Sequence, residues 1–282
     1  MKHIFILNGK IKNHPFEKVI HETMKGYDYR IIYTQYNNHA IEISKQFHDK
    51  DYRIYSVGGD GMLNQIIQGL VHSQNELVII PYGTGNDFYR CISNEKDQQK
   101  ILQKSLSMKA RKVDTALIND RYYINSACFG LDSIIANNVH TGMNIPFMPE
   151  YIMSIIKNIL QYRARQIKIY SQGQLLFDGP MILCTVNNGQ YYGGGFRITP
   201  NARFDDGSLD LCVVDALARR KIPYMLFLLI KNKLEHRQEV HYFSVQQLSI
   251  ECSYHCNLDG EEVQYPHYHI QVIPSSLRLV CL

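Results

Sequence analysis

The chain has 282 residues, enough for one large or two ordinary domains with buried cores, so a peptide hormone or a disulfide-stapled mini-protein is excluded. Hydrophobic residues make up 45% and charged residues 20%, with no low-complexity tract and no long like-charge run, which excludes a mainly disordered chain. The formal net charge of +4 is a mild basic excess that favours anionic partners without identifying one.

The first residues have the pattern of a strand. The segment MKHIFILNGK has a short apolar run without a small-residue cleavage site, so we expect no signal peptide and a cytoplasmic protein. The longest apolar run, Ile222 to Ile230, contains Pro223 and is about half the roughly 20 residues that cross a bilayer. No transmembrane span is therefore predicted.

Up to about Asn119, short β-branched runs alternate with helical patterns, which is typical of βαβ units with a mostly parallel sheet. The predicted strands are His3–Leu7, Tyr29–Thr34, Arg53–Val57 and Leu77–Ile80. Apolar stripes at helical spacing predict one helix through Ala40, Ile43 and Phe47 and a second, Met62–Val71, through Leu63, Ile66, Ile67 and Leu70. We predict an α/β domain over residues 1–119.

From about Arg121, strand follows strand with Gly, Asn and Asp turns, which predicts an antiparallel β-sandwich-type domain over residues 120–273. The predicted strands are Arg121–Ala127, Gln166–Tyr170, Leu175–Phe177, Ile182–Val186, Leu209–Val213, Phe243–Glu251 and Tyr268–Val272, and the predicted helices are Glu150–Tyr162 and Ala218–Leu234. The last residues, about 274–282, are a candidate to pack back onto the first domain. We expect an active-site cleft between the domains.

The first signal of chemistry is the loop after the third predicted strand. Arg53–Val57 runs directly into Gly58-Gly59-Asp60-Gly61, where the helix Met62–Val71 begins. Three glycines at a helix start leave backbone N–H groups that an anion can reach without Cβ obstruction, and the helix dipole adds attraction. Asp60 beside a phosphate needs a cation or a ribose hydroxyl to balance its charge. An ordinary glycine-rich turn capped by Asp60 is the open alternative.

A second loop of the same kind follows the next strand. Leu77–Ile80 ends in Pro81-Tyr82-Gly83-Thr84-Gly85-Asn86-Asp87-Phe88, which carries a second acid at Asp87. Because loops after successive parallel strands meet at the carboxyl edge of a sheet, we expect the two loops to lie side by side. Together they predict a phosphate-binding site.

Four segments, taken in order, carry a family resemblance. They are Gly58 to Asn64, Gly83 to Arg90, Asn201 to Asp210, and Asp259-Gly260-Glu261. They resemble the nucleotide loop, the Gly-Thr-x-Asn-Asp-Phe-x-Arg motif, the Asp-Asp-Gly-x-Leu-Asp segment and the late Asp-Gly-Glu of the diacylglycerol kinase catalytic-domain superfamily, which includes bacterial lipid kinases and sphingosine and ceramide kinases. The resemblance implies an NAD-kinase/phosphofructokinase-like first domain and an ATP-dependent lipid kinase, with diacylglycerol to phosphatidic acid as the favoured reaction.

The resemblance also implies residue roles. Glu261 would be the general base, since a kinase acting on a neutral hydroxyl needs a proton acceptor, and Asp259 beside it is a second catalytic candidate. Asp60, Asp87 and Asp114 would hold the catalytic Mg²⁺, partly through water. The implied nucleotide contacts are Asn8, Gly9, Thr34, Gly58, Gly59, Asp60, Gly61, Met62, Leu63, Asn64, Gly83, Thr84, Gly85 and Asn86.

A second, structural Mg²⁺ is implied at Asp206, with the carbonyls of Arg203 and Ser208 as its partners. A type I turn, in which Asp206-Gly207 simply reverses the chain, explains the same residues and stays open as the alternative. Such a metal would order this region without taking part in the chemistry.

Three departures from the family pattern keep other functions open. Met62 stands where most members have Thr, Gln65 replaces the usual Glu, and Asn8-Gly9-Lys10 lacks the family's Asn-Pro. Met62 and Gln65 motivate a catalytically silent lipid- or nucleotide-binding regulator, while the Gly-Gly-Asp-Gly loop and the two-domain plan are shared with NAD kinases. The Asn-Asp-Phe loop and the late Asp-Gly-Glu favour the lipid kinase.

Two segments combine apolar stripes with cations. One is the stripe Ile152, Ile155, Ile156 and Ile159 with Lys157 nearby, and the other is Arg219-Arg220-Lys221 followed by Ile222–Ile230. Such a stripe is more often core than membrane contact, yet flanking cations are typical of an interfacial helix. We expect a lipid substrate, peripheral association with an anionic membrane surface and no nucleic acid partner, with a homodimer left open.

Overall fold

The computed structural model describes residues 1–11, 14–131, 133 and 162–282. The chain divides into two compact units: Met1–Thr115 with Phe204–Gly207 and Ile273–Leu282, and Ala116–Arg203 with Ser208–Val272. The predicted helix Glu150–Tyr162 and its isoleucine stripe lie outside the described residues, apart from Tyr162. Within the described ranges, no helix is long and apolar enough to cross a bilayer.

The first unit is an α/β fold with parallel strands, as predicted. Its strands are β1 (Lys2–Leu7), β2 (Tyr29–Tyr33), β3 (Tyr52–Gly58) and β4 (Glu76–Pro81), in the order β2-β1-β3-β4. Its helices are α1 (Phe16–Thr23), α2 (His39–Lys45), α3 (Asp60–Leu70), α4 (Asp87–Ile92) and α5 (Gln98–Ser107). Strands β3 and β4 are buried almost throughout, as β-branched runs covered by helices on both faces should be.

The side chains of the predicted apolar stripes are buried as expected, with one exception. In α3, Leu63, Ile66, Ile67 and Leu70 are all buried. In α2, Ala40 and Ile43 are buried, but the helix ends at Lys45, so Phe47 lies beyond it. Helices α1, α4 and α5 were not predicted from the sequence. The N-cap of α5 is Asp97, whose side chain accepts from the N–H groups of Gln99 and Lys100.

Two strands pass from one unit to the other. They are β5 (Arg111–Ile118) and β17 (Tyr268–Leu279). The end of β17 pairs in parallel with β4 through Arg278 opposite Glu76 and Leu279 opposite Leu77, so residues 273–282 complete the first unit's sheet. Tyr268–Val272 was predicted as the whole strand, which is therefore too short by seven residues.

A buried ion-pair cluster fixes this added strand. Arg53 on β3 donates through Nε to Glu76 on β4 at 2.8 Å, and Arg278 on β17 donates to the other carboxylate oxygen at 3.3 Å. Arg53 also donates to the carbonyl of Met108 at 3.0 Å. Because both guanidinium groups share the Glu76 carboxylate, removing Glu76 would leave the buried Arg53 without its counter-charge.

The second unit is built from antiparallel strands, as predicted. They are β6 (Arg121–Tyr123), β7 (Ser126–Gly130), β8 (Arg165–Ser171), β9 (Gln174–Asn187), β10 (Tyr191–Tyr192), β11 (Phe196–Arg197), β12 (Leu209–Asp215), β13 (Val240–Val245), β14 (Gln247–Cys252), β15 (Cys256–Leu258) and β16 (Glu261–Val263). The long strand β9 pairs with β7, β8 and β12, and a core that includes Ile169, Val186, Leu211 and Ile250 packs on this sheet.

Three predicted element bounds in this unit are wrong. Arg121–Ala127 is two strands, because the backbone at Ile124 and Asn125 hydrogen-bonds to a side chain instead of a neighbouring strand. Leu175–Phe177 and Ile182–Val186 are one strand, β9, while Phe243–Glu251 divides at Gln246 into β13 and β14.

The predicted helix Ala218–Leu234 is also shorter than expected. The α-helical part is α6 (Ile222–Ile230), with Pro223 in its first turn. Short 3₁₀ turns precede and follow it, at Arg219–Lys221 and Leu234–His236. Pro is tolerated at a helix start because its missing N–H has no intrahelical partner there, so Pro223 marks where the α-helix begins.

Candidate active site

The two glycine-rich loops of the first unit lie against each other. The β3–α3 loop carries Gly59 and the β4–α4 loop carries Gly83, and a Cβ on Gly83 would come within 2.5 Å of the Gly59 Cα. The N–H of Tyr82 donates to the carbonyl of Gly58 at 2.9 Å, which joins the loops just before this contact. The structure therefore confirms that the two loops meet at the carboxyl edge of the parallel sheet, and it explains why Gly83 does not admit a side chain.

Backbone N–H groups at the start of α3 face accessible space. Gly59 is the N-cap and has no side chain to bond to the first turn, and an added Cβ on Gly61 would meet nothing within 4 Å. The first turn of this eleven-residue helix therefore has no N-cap side chain, and the positive end of the helix dipole favours an anion there. Met62 lies beside this turn, whereas the side chains of Leu63 and Asn64 are buried, so only their backbone is available to a nucleotide.

Asp60 and Asp87 come together at these loops. A Cβ on Gly85 would lie 2.9 Å from Asp60 Oδ2 and 3.5 Å from Asp87 Oδ2. Burial raises the pKa of Asp60 above its ordinary value, and backbone N–H groups of residues 86–88 only partly oppose that rise. A cation next to this carboxylate would favour its ionised form, so the pair of acids has the oxygen donors and the electrostatics that Mg²⁺ requires.

Asn86 shapes the second loop. Its backbone is left-handed, with φ of 50°, and its side chain accepts from the N–H of Gly83 at 3.0 Å and donates to the carbonyl of the same residue at 2.6 Å. Arg90, one turn into α4, donates to the carbonyl of Gly85 at 3.2 Å. The Gly-Thr-Gly-Asn segment is therefore a self-supporting turn that leaves Thr84 exposed at its tip.

Asn8, Gly9 and Thr34 also meet, at the ends of β1 and β2. The N–H of Gly9 donates to Thr34 Oγ1 at 3.0 Å, and a Cβ on Gly9 would overlap the Thr34 carbonyl at 1.7 Å. Asn8 Oδ1 accepts from the N–H of Lys10 at 3.0 Å, which closes a tight turn without the family's proline. These residues belong to the same carboxyl edge as the two glycine-rich loops.

Asp114 has a different environment from the other two predicted Mg²⁺ ligands. It is buried on β5, and its two oxygens accept from the N–H groups of Gly207 and Ser275, each at 2.7 Å. Its carboxylate thus joins the three chain segments that make up the first unit. Among residues 1–11, 14–131, 133 and 162–282, no three His, Cys, Asp or Glu side chains are grouped closely enough to hold a metal, so the three-aspartate site stays a prediction.

The residues proposed for a structural metal lie in the loop before β12. Arg203 and Asp206 are exposed, and Ser208 is half-buried. Gly207 has φ of 74°, a conformation that glycine adopts without strain, so the Asp206-Gly207 pair reverses the chain. Both the turn and the second Mg²⁺ site remain compatible with this loop.

In the second unit, Asp259 and Gly260 form the two-residue turn of the β15–β16 hairpin. Their φ angles are 48° and 94°, the pattern of a type I′ turn, for which Asp-Gly is a preferred sequence. Asp259 is only 4% exposed and accepts from the N–H groups of Ile124, Asn125 and Ser126 at 2.8–3.1 Å. Its carboxylate therefore fixes the turn against the break between β6 and β7, and its catalytic role stays a prediction.

Glu261 follows this turn as the first residue of β16. Its side chain is half-buried and accepts from Arg121 at 2.8 Å. Arg121 was not predicted as a site residue, because an arginine at the start of a strand has no sequence signature of such a contact. Between them, the hairpin turn and the guanidinium fix the position of the carboxylate.

The comparisons with known proteins agree with this geometry. The diacylglycerol kinase catalytic domain matches residues 2–118, and the YegS C-terminal NAD kinase beta sandwich-like domain matches residues 125–281. The chain belongs to the diacylglycerol kinase catalytic-domain superfamily and has the C-terminal domain of its YegS group.

Individual relatives span nearly the same length. A probable lipid kinase YegS-like protein of Chromohalobacter salexigens is 28% identical over 290 residues, covering 97% of this chain and 91% of the relative. A diacylglycerol kinase of Staphylococcus aureus is 25% identical over 227 residues, covering 79% and 72%. The crystal structure of a diacylglycerol kinase from Bacillus anthracis has a TM-score of 0.75 at 20% identity, covering 100% and 97%, and shows the same fold.

Proposed function

We propose that this protein is a lipid kinase that transfers the γ-phosphate of ATP to a lipid hydroxyl, with diacylglycerol as the substrate and phosphatidic acid as the product. The contact between the two glycine-rich loops carries the proposal, because it places two acids beside backbone N–H groups that can hold a phosphate chain. The superfamily and the names of the relatives supply the lipid hydroxyl as the acceptor.

The loops of the first unit would bind and orient the nucleotide. The N–H groups at the start of α3 would hold oxygens of one phosphate of ATP, and the turn around Thr84 would position the other phosphates. Asp60 and Asp87 would hold Mg²⁺ through their oxygens or through water, and the bound ion would neutralise charge on the transferring phosphoryl group. Met62 and Gln65 leave these oxygens and N–H groups in place.

Glu261 is our proposed general base. As the lipid oxygen attacks the γ-phosphorus and the bond to ADP breaks, the hydroxyl proton passes to the Glu261 carboxylate. Arg121 would keep that carboxylate in one orientation, since its guanidinium donates to Oε2 at 2.8 Å. An exposed, unrestrained glutamate would spend little time in the geometry that proton transfer requires.

The deciding experiment is phosphate transfer from γ-³²P-labelled ATP to a panel of acceptors: diacylglycerol, phosphatidylglycerol, ceramide, sphingosine and NAD. We expect labelled phosphatidic acid. Labelled NADP would establish the NAD kinase alternative, and label in none of the five would favour the catalytically silent regulator.

The role of Glu261 has a matched control on the same strand. Glu261→Gln keeps the shape but loses the proton acceptor, so we expect kcat to fall by roughly 10²–10⁴-fold, while ATP affinity measured by calorimetry stays unchanged. Glu262→Gln changes the neighbouring exposed carboxylate, which pairs with His255, and should leave kcat close to normal. If Glu261→Gln keeps most of its kcat, the assignment of the base is wrong.

A further inference from the structure

One helix of the second unit exposes a complete apolar face. In α6, Tyr224, Leu226, Phe227 and Ile230 are 52%, 38%, 52% and 56% exposed. Leu226, Phe227 and Ile230 lie at helical spacing and so share one side. The other exposed large apolar side chains of the described residues are scattered over separate segments, at Met1, Tyr27, Tyr36 and Leu175. We call Tyr224, Leu226, Phe227 and Ile230 the outer face of α6.

The opposite side of α6 is anchored in the core. Ile222, Met225, Leu228 and Leu229 are buried in a cluster with residues of β9, β12 and β13. The orientation of the helix is therefore fixed by packing, and its outer face cannot turn inwards without emptying that cluster. A helix that is apolar on both sides requires a second apolar environment, which water does not provide.

The charge around α6 is strongly positive. Residues 219–239 contain six Lys or Arg and two Glu, a formal charge of +4 that equals the net charge of the whole chain. Arg219, Arg220 and Lys221 precede the helix, and Lys231 and Lys233 follow it, all of them exposed. Cations at both ends of an exposed apolar face are complementary to a lipid surface, which has anionic headgroups outside and apolar acyl chains beneath them.

Two of the cations lie next to the outer face itself. Lys231 Nζ is 5.9 Å from the ring centre of Phe227, and Arg237 is 5.8 Å from that of Tyr224. Glu239 pairs with Lys221 at 3.3 Å and with Arg237 at 3.2 Å, so one of the two acids of this segment is already matched by cations. Long cationic side chains at the rim of aromatic rings can reach headgroups while the rings enter the acyl boundary.

We propose that the outer face of α6 docks this protein on the surface of a membrane that contains anionic lipid, a proposal that rests on the proposed function for the presence of a lipid substrate. The helix has nine residues, or about 13 Å, so it lies in the interface and does not span it. A second copy of the chain fits less well, because a two-fold contact would bring like cations at the helix ends together.

The experiment uses the absence of tryptophan from the chain. Phe227→Trp places a single indole on the outer face, and Leu175→Trp places one at a similarly exposed position on β9 as the control. With vesicles containing phosphatidylglycerol, and without ATP, we expect a blue shift and quenching by brominated lipid for the first variant only. Equal responses from both variants, or none from Phe227→Trp, would overturn the proposal.

Vesicle sedimentation measures the contribution of the face and of the charge. The triple variant Leu226→Ser, Phe227→Ser and Ile230→Ser should bind vesicles at least tenfold more weakly than Leu175→Ser, with an unchanged circular dichroism spectrum. Binding of the wild-type protein to vesicles should weaken when salt is raised from about 0.1 M to about 1 M, which shortens the electrostatic screening length from about 10 Å to about 3 Å. Binding of the triple variant equal to that of Leu175→Ser contradicts the docking surface, as does a wild-type dimer that the triple variant converts to monomer without loss of vesicle binding.

Transfer to a short-chain, water-soluble diacylglycerol separates the two proposals. The triple variant should phosphorylate this acceptor at the wild-type rate while losing its activity on vesicles. If wild type phosphorylates no lipid in any form and still binds anionic vesicles through this face, the proposed function fails and the docking surface stands.

Discussion

Two turns in this protein place an aspartate against backbone N–H groups, and they do so to opposite effect. In the β15–β16 turn, Asp259 accepts three N–H groups at 2.8–3.1 Å, so the donors and the carboxylate satisfy each other. In the β3–α3 loop, Asp60 accepts from the N–H of Phe88 at 3.4 Å and is also influenced by neighbouring backbone N–H groups, yet burial keeps its pKa raised. The N-cap Gly59 supplies no side chain to the first turn. The first carboxylate is matched by its donors, whereas the second is buried with a pKa that its backbone hydrogen bonds do not bring back to the ordinary value, so a bound cation would favour the ionised form of Asp60.

The largest expected change in stability comes from breaking the satisfied turn. Asp259→Ala leaves the N–H groups of Ile124, Asn125 and Ser126 buried without their acceptor, at about 1–3 kcal/mol each, so we expect urea unfolding to show a loss of at least ~3 kcal/mol. Asp259→Asn retains one acceptor oxygen and should lose less. A melting curve for Asp259→Ala that matches wild type would show that the carboxylate is not what fixes this turn.

The contact between the glycine-rich loops gives the next largest change. A methyl group on Gly83 would lie 2.5 Å from the Gly59 Cα, so Gly83→Ala must push backbone away from backbone and should cost about 1–3 kcal/mol. Gly61→Ala meets no atom within 4 Å and should leave the fold as stable as before.

The two glycine variants differ in what they report. Because the methyl group of Gly61→Ala enters the space that we assign to phosphate, calorimetry should show at least tenfold weaker ATP binding at unchanged stability. If ATP binding to Gly61→Ala is normal, the phosphates lie elsewhere along the carboxyl edge of the sheet.

Replacing Asp60 should change stability by less than the Asp259 and Gly83 variants do, and it should raise stability. Burial raises the pKa of Asp60 in the folded state, so its ionisation opposes folding, and the stability it contributes at acid pH is lost as the pH rises through that pKa. In metal-free buffer, Asp60→Asn should therefore raise the Tm at pH 7, and the gain should shrink as the pH falls towards the ordinary Asp value of about 4. Phosphate transfer by this variant should be abolished.

A matched acid at another helix start serves as the control for Asp60. Asp97 caps α5 by accepting from Gln99 at 3.0 Å and Lys100 at 3.2 Å, so Asp97→Ala should lower stability by about 1 kcal/mol and leave transfer unchanged. If Asp60→Asn also lowers the Tm at pH 7, Asp60 is a structural cap like Asp97 and the raised pKa has no energetic weight.

The sequence was enough to predict the features that depend on local pattern and topology. Alternating β-branched runs and helical stripes predicted the parallel α/β unit, and the order of the strands then placed Gly59 and Gly83 side by side, because loops after neighbouring parallel strands share an edge. The Asp206-Gly207 pair likewise suggested a chain reversal from local sequence, and Gly207 has a positive φ of 74°.

Contacts between distant segments could not be predicted in the same way. Asp114 bonds to Gly207 and Ser275, and Arg121 donates to Glu261, yet neither partner is signalled by the residues around it. The break between β6 and β7 likewise depends on Asp259, more than a hundred residues further on, which draws three N–H groups out of the strand pattern. Interactions of this kind depend on tertiary structure, which the local pattern does not contain.

The discontinuous make-up of the first unit has a consequence for synthesis on the ribosome. Residues 273–282 emerge only after the whole second unit, and until then the outer edge of β4 lacks its neighbouring strand and Glu76 lacks Arg278. The unit that begins first should therefore be completed last, with an unpaired strand edge exposed to chaperones in the meantime. A force profile recorded with an arrest peptide should show the force generated by folding of the first unit only when residues 273–282 have left the ribosomal tunnel. A force peak already present once residue 118 has left the tunnel would mean that the nascent α/β unit folds without its last strand.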